Sequence, residues 1–213
     1  MKFSRPPTAQ EAVLAEIRRL IATGSLAPGA PIRQDAIALQ LDVSRVPVRE
    51  ALKILEGEGQ VSYAAHRGYS VTELSAADLA EAYRLRELLE SEAIRVAVHR
   101  LTDDDLLRIT MAAGVAASAL RGTDMDRITT LNRDFHFAIY EASARPRLVR
   151  LIRQLWDATE VYRAVYFQSS ANRKLIIREH AAMLAALVAR DAESAIAAHD
   201  EHRSNAVRRL GLS

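Results

Sequence analysis

The sequence predicts a mainly α-helical chain, a small N-terminal winged helix-turn-helix followed by an all-α antiparallel helical bundle. Breakers concentrate in the first 73 of its 213 residues, where short periodic segments alternate with proline and glycine turns. From Ser75 onward the chain is Ala/Leu/Arg/Glu-rich, helix-period sequence with few interruptions. Between them lie two short β-type runs joined by a turn. Domain boundaries at 1–73 and 74–213 follow.

Thr8 can cap a first helix whose apolar stripe is Val13, Leu14, Ile17, Leu20 and Ile21, stopping at Gly24. Pro28-Gly29 makes a turn. A second helix is expected over residues 34–40, with Ile37 and Leu41 inward, and a third over 44–58. Residues 61–64 and 69–71 read as strands joined around His66-Arg67-Gly68. Ser75, with Asp78 three residues later, opens the second region. Six helices are expected there, over 76–99, 103–121, 126–143, 146–167, 173–190 and 192–210. Short loops favour antiparallel neighbours.

Composition narrows the function class. An apolar fraction of 49% fits a globular chain, and zero cysteines exclude disulfides and thiolate metal sites. No apolar stretch approaches the ~20 residues of a membrane span. The start MKFSRPPTAQ lacks the apolar segment of a secretion signal, so a cytoplasmic location is expected. At a net charge of +2, any nucleic-acid binding must come from locally placed cations.

Such cations occur in QDAIALQLDVSRVPVREALK, residues 34–53. Ala38 is small where two helices would cross, and Asp42 tolerates the left-handed conformation of a tight turn. Val48, Ala51, Leu52 and Leu55 form an inward stripe, while Arg45, Arg49 and Lys53 lie along the opposite face. Pro47 sits in the first turn, where its missing N–H costs nothing. The arginines alone also fit an ordinary solvated face; the turn and the hairpin that follow favour a recognition helix.

In the second region His136, His180 and His202 lie in three different expected helices, each beside apolar residues. They can converge inside the bundle, where neutral imidazoles suit Zn, Ni, Mn or Fe. Three unrelated histidines fit the pattern equally well. His199 is expected at the solvent or bundle edge, and Glu179 on a different face of its helix from His180.

Residues 24–71 resemble the N-terminal domain of the GntR family of bacterial regulators. The resemblance rests on G-x-L-x-P-G at residues 24–29, SRxPVREAL at 44–52 and a wing ending in Gly-aromatic-x-Val at 68–71. It implies a DNA-binding set. Arg45 and Arg49 would meet guanine edges or phosphates, with Ser44 and Lys53 on the same helix. Arg33 would touch phosphate, and His66, Arg67 and Gly68 would approach the minor groove. Asp42 stands where the family usually has Gly, and Gln34 where Glu is common; neither removes a cation.

From Ser75 to about Leu210 the chain resembles the FCD ligand-binding domain of the FadR-type branch. The matching pieces are YRLRELLE at 83–90, NxxFHxxIxxAS at 132–143, EH at 179–180 and the late His202. By that resemblance Asn132, His136, His180 and His202, spaced by 4, 44 and 22 residues, are the metal ligands. Asn132 replaces the commoner Asp, and its neutral amide oxygen is the weaker ligand. The resemblance also implies a small carboxylate effector paired with Arg86, with Tyr83 and Asn205 as further pocket residues. The six-helix count resembles the VanR-type subgroup.

Together these imply a ligand-responsive transcriptional regulator, expected to be a repressor. As a homodimer it would bind a pseudo-palindromic DNA operator. An enzyme is not expected: there is no H-E-x-x-H helix motif and no base placed beside the histidines. A plain scaffold bundle leaves the winged helix unexplained.

Overall fold

The computed structural model describes residues 7–209, and only the backbone of residue 161. The expected end of the last helix at residue 210 lies outside this range. The chain divides into two compact units between Leu74 and Ser75.

In the first unit, α1 (Ala9–Ala22) starts on a reciprocal capping box between Thr8 and Glu11 and buries Val13, Ile17 and Ile21. After a two-residue strand β1 (Pro31–Ile32) come α2 (Gln34–Gln40) and α3 (Arg45–Gly57). Asp42, between these helices, has φ +52°, the left-handed turn expected of it. Val48, Ala51, Leu52 and Leu55 on α3 are wholly buried, so the opposite face of α3 is left outward.

The wing is β2 (Val61–Ala64) paired antiparallel with β3 (Gly68–Val71). Pairs Val61↔Val71 and Tyr63↔Tyr69 set its register, and His66 at φ +64° and Gly68 at φ +79° turn its tip. β1 was not expected. It pairs Ile32 with Tyr69 and Pro31 with Ser70, completing a sheet of order β1-β3-β2. Two residues are too short for alternation to be visible in sequence, and Pro31 is tolerated because the strand is at the sheet edge.

The second unit comprises α4 (Ala76–Val98), α5 (Asp103–Leu120), α6 (Met125–Glu141), α7 (Pro146–Ala158), α8 (Glu160–Gln168), α9 (Ser170–Val188) and α10 (Ala192–Arg209). α5 packs on α6 and α9, while α10 packs on α9 and α4. The core includes Ile109, Ala116, Phe135, Ile139, Tyr140, Ile152 and Trp156. None of the described helices is long and apolar enough to cross a membrane.

The six-helix expectation is corrected to seven segments among the described residues, because the run 146–167 breaks at Thr159. Its hydroxyl donates back to the carbonyl of Leu155 at 2.9 Å, and Arg163 Nη2 takes the carbonyl of Trp156 at 2.8 Å. The Leu155 carbonyl keeps its helical N–H from Thr159 at 3.2 Å, while that of Trp156 gains the Arg163 guanidinium as a side-chain donor. α9 starts earlier than expected because Ser169 caps it, accepting from the Asn172 N–H. The helix count therefore lends nothing to the VanR-type subgroup.

Candidate nucleic-acid interface and buried histidine site

On α3 the structure leaves Arg45, Arg49 and Lys53 exposed along one face. Ser44 holds the N-cap position without a side-chain cap bond, so the helix's first N–H groups lack that partner. Arg33 is exposed at the N-cap of α2, and His66 and Arg67 are exposed at the wing tip. Two features were not foreseen. Arg45 is ion-paired with Asp35 of α2 across the helix-turn-helix. Val46, half exposed on the same turn as Arg45, and Tyr63 on the wing add apolar surface to this unit.

In the second unit, α6, α9 and α10 bring His136, His180 and His202 together, with one ring nitrogen from each within 4.8 Å of the others. Ring centroids lie 5.0 to 5.4 Å apart. Both nitrogens of His136 and of His180 are buried without a hydrogen-bond partner, as is the Asn132 Oδ1. Burial and the neighbouring imidazoles hold His136 and His180 well below their ordinary pKa, keeping their lone pairs free. Nitrogen ligands sit about 2.0–2.1 Å from a divalent transition metal, so a slight closing of this cluster would accommodate one ion. The residues fit such a group.

The role foreseen for Glu179 is corrected: it faces the cluster. Its carboxylate accepts from His202 Nδ1 at 2.6 Å and from the Asn205 amide at 2.6 Å. The second ring nitrogen of His202 is left for the centre, a carboxylate–histidine pairing that fixes the ring. Adjacent residues 179 and 180, about 100° apart on α9, both border a site that wraps around the helix. Asn205 is itself occupied, since its carbonyl oxygen accepts from Arg208 at 2.7 Å.

The placement of His199 is also corrected. It is buried, its Nε2 2.7 Å from the Tyr140 hydroxyl and 3.5 Å from the Glu90 carboxylate. Burial, only partly offset by Glu90, brings its pKa down to about 4. Its polar partners on α4 and α6 were invisible from the local sequence of α10.

Beneath the histidines lies a charged network centred on Glu90, which is wholly buried. It accepts from Arg86 Nε at 2.9 Å, Trp156 Nε1 at 2.6 Å and Arg203 Nη1 at 2.5 Å. Burial alone would raise its pKa; Arg86, His199 and Arg203 together hold it well below the carboxylate range. Arg86 is thus a buried i,i+4 partner of Glu90. Its guanidinium lies 4.6 Å from the Trp156 ring and 4.8 Å from that of Tyr83. Its Nη1 and the Tyr83 hydroxyl are buried and unpartnered.

Sequence reasoning missed Thr129 and Tyr166, whose hydroxyls are also buried without partners. Thr129 was findable: residues 129, 132 and 136 share one helical face. Orphaned buried donors and acceptors are costly unless a bound group satisfies them.

Known proteins resemble this chain in both units. Residues 9–71 match the family model "Bacterial regulatory proteins, gntR family", and residues 81–205 match the FCD domain. The regulator McbR of Escherichia coli (strain K12) is 34% identical over 84% of this chain and 81% of its own length. The Uxu operon transcriptional regulator of the same organism is 30% identical over 92% of this chain and 84% of its own. The solved structure of E. coli McbR/YncC superposes with a TM-score of 0.86 at 30% identity, covering 96% of this chain and 98% of that one. A GntR regulator from Rhodococcus sp. RHA1 gives 0.80 at 25% identity over 94% and 96%. The chain belongs to the GntR family of bacterial transcriptional regulators and carries an FCD domain behind its winged helix-turn-helix.

Proposed function

We propose that the protein is a cytoplasmic, homodimeric repressor that releases a pseudo-palindromic operator when a small carboxylate binds in its FCD domain with the help of a divalent metal. The observation that carries this reading is the convergence of His136, His180 and His202 on one centre, together with buried polar atoms of His136, His180, Asn132, Arg86 and Tyr83 that have no partner. Buried polar atoms without a protein partner call for a group that completes them, a bound ligand or ordered water.

Asn132, His136, His180 and His202 would hold the metal, which supplies a positive anchor for a carboxylate. Glu179 orients His202, and Asn205 braces Glu179. Arg86, fixed by Glu90 through Nε, presents Nη1 to the same carboxylate, and Tyr83 lies against it. Glu179, the carboxylate at the cluster, has both oxygens engaged by His202 and Asn205, which favours a sensor over an enzyme.

For DNA, Arg45 and Arg49 would read base edges, with Ser44, Lys53, Arg33, His66, Arg67 and the backbone at Gly68 positioning the duplex. Arg45→Ala and Arg49→Ala are each expected to cost about 1–3 kcal/mol of operator affinity and to relax sequence preference. Lys53→Ala should weaken all sequences alike and reduce the salt slope by about one. Titrations with the chain's own upstream DNA check this; unchanged affinity in both arginine variants overturns the DNA-binding assignment.

For the sensor, metal content of purified protein is compared with that of His136→Ala. Added Zn or Ni is expected to raise the parent's stability by about 2.7 kcal/mol at a hundred times its dissociation constant. The variant should show little gain. Equal shifts in both proteins would remove the metal from the reading.

A further inference from the structure

The outward residues of α5 follow a three-four spacing: Asp104, Leu107, Met111, Gly114, Ser118 and Arg121 at its end, all exposed. Leu107 and Met111 are 60% and 63% exposed, and Val115 beside them is 43% exposed. No other described helix exposes three large apolar side chains. Gly114 sits in mid-helix, and a Cβ there would meet nothing within 4 Å. Its own fold does not require a glycine, although glycine inside a helix carries an entropic cost. A closely approaching surface from outside accounts for it.

We propose that this face of α5 is the dimer interface, packed antiparallel against α5 of a second copy of the chain. The inference rests on the homodimer reading above. In one antiparallel register three kinds of pair meet together: Asp104 with Arg121, Leu107 with Ser118, and Met111 with Gly114. Each occurs twice about the two-fold axis, as an isologous contact demands. Large side chains seat over small ones, which lets the helix axes approach, and opposite charges close both ends.

A parallel pairing is disfavoured. It would set the acidic first turn, Asp103 to Asp105, against its own copy and Arg121 against Arg121. Eighteen residues span about 27 Å, enough for the centre of an interface that buries about 800 Å² per partner. The heptad-type stripe also matches the spacing by which paired helices keep one seam in contact.

The test uses the full chain in sedimentation velocity over a micromolar range, with circular dichroism to confirm folding. The parent is expected to run as two chains. Met111→Glu places like charges at the seam and should raise the dimer dissociation constant about a hundred-fold or more. Gly114→Met fits the single chain's open space yet should break the dimer. If either variant misfolds, the other still reports. Asp104→Arg and Arg121→Asp should each weaken association about ten-fold, and the double reversal should recover it. A dimeric parent whose Met111→Glu and Gly114→Met forms are equally dimeric overturns the α5 assignment alone. A double reversal no better than the singles overturns the antiparallel register. A parent that is a single chain throughout overturns the homodimer reading and this interface with it.

Discussion

Glu90→Ala is expected to destabilise the C-terminal unit by about 3–5 kcal/mol, because it strands the buried Arg86 guanidinium and leaves the buried Arg203 with Asp200 alone. Arg86 and Arg203 both lie within a few per cent of complete burial and both pair with Glu90. Trp156 and His199 also lose a partner. Glu90→Gln keeps the volume and one acceptor for the indole, but not the charge, so most of the loss should persist. Urea unfolding followed by helical circular dichroism measures it. A change under about 1 kcal/mol in both variants would show that the arginines find other anions.

Acid should weaken the metal-free protein well before carboxylates titrate. His136, His180 and His199 are held below their ordinary value of 6.5 by burial, His199 to about 4. The unfolded chain then binds protons that the folded chain refuses, so stability falls as pH drops below 6.5. Each such histidine contributes roughly 1.4 kcal/mol between pH 7.5 and 5.5, about 4 kcal/mol for the three together. Below the ordinary 4.5 of a glutamate, Glu90, with its depressed pKa, adds a loss of the same sign. Urea midpoints measured from pH 7.5 to 4.5 test this; a flat profile down to pH 5.5 would mean that the imidazoles are protonated in the folded state.

The first unit was legible because its signals are local. Thr8, Asp42, Pro47 and the His66-Arg67-Gly68 turn each impose a backbone state within a few residues. The arginine face of α3 was legible because period fixes orientation once Val48, Leu52 and Leu55 are inward. In the second unit, spacing and apolar neighbours left the three histidines equally open to a shared site or to none, and it was the resemblance to the FCD domain that joined them. What lay beyond reach was the layer between helices. His199 was misplaced because its partners, Tyr140 and Glu90, are 59 and 109 residues away. The break at Thr159 depends on where Arg163 turns, and that is decided by tertiary contact with Trp156. Arg45 looked like an unencumbered contact because its pairing with Asp35 spans the turn between two helices.

Trp156 is the chain's single tryptophan, and it lies 1% exposed in this site. Its indole donates to Glu90, while Arg86 and Arg163 lie 4.6 and 4.2 Å from its ring. The protein therefore carries a built-in optical reporter of one location. Any ligand that draws Arg86 toward itself changes the charge beside the indole and hence its emission, without a label. DNA engaged by the N-terminal unit alone has no indole to perturb. Emission that responds to an operator fragment would thus read communication between the two halves directly, in light rather than in affinity.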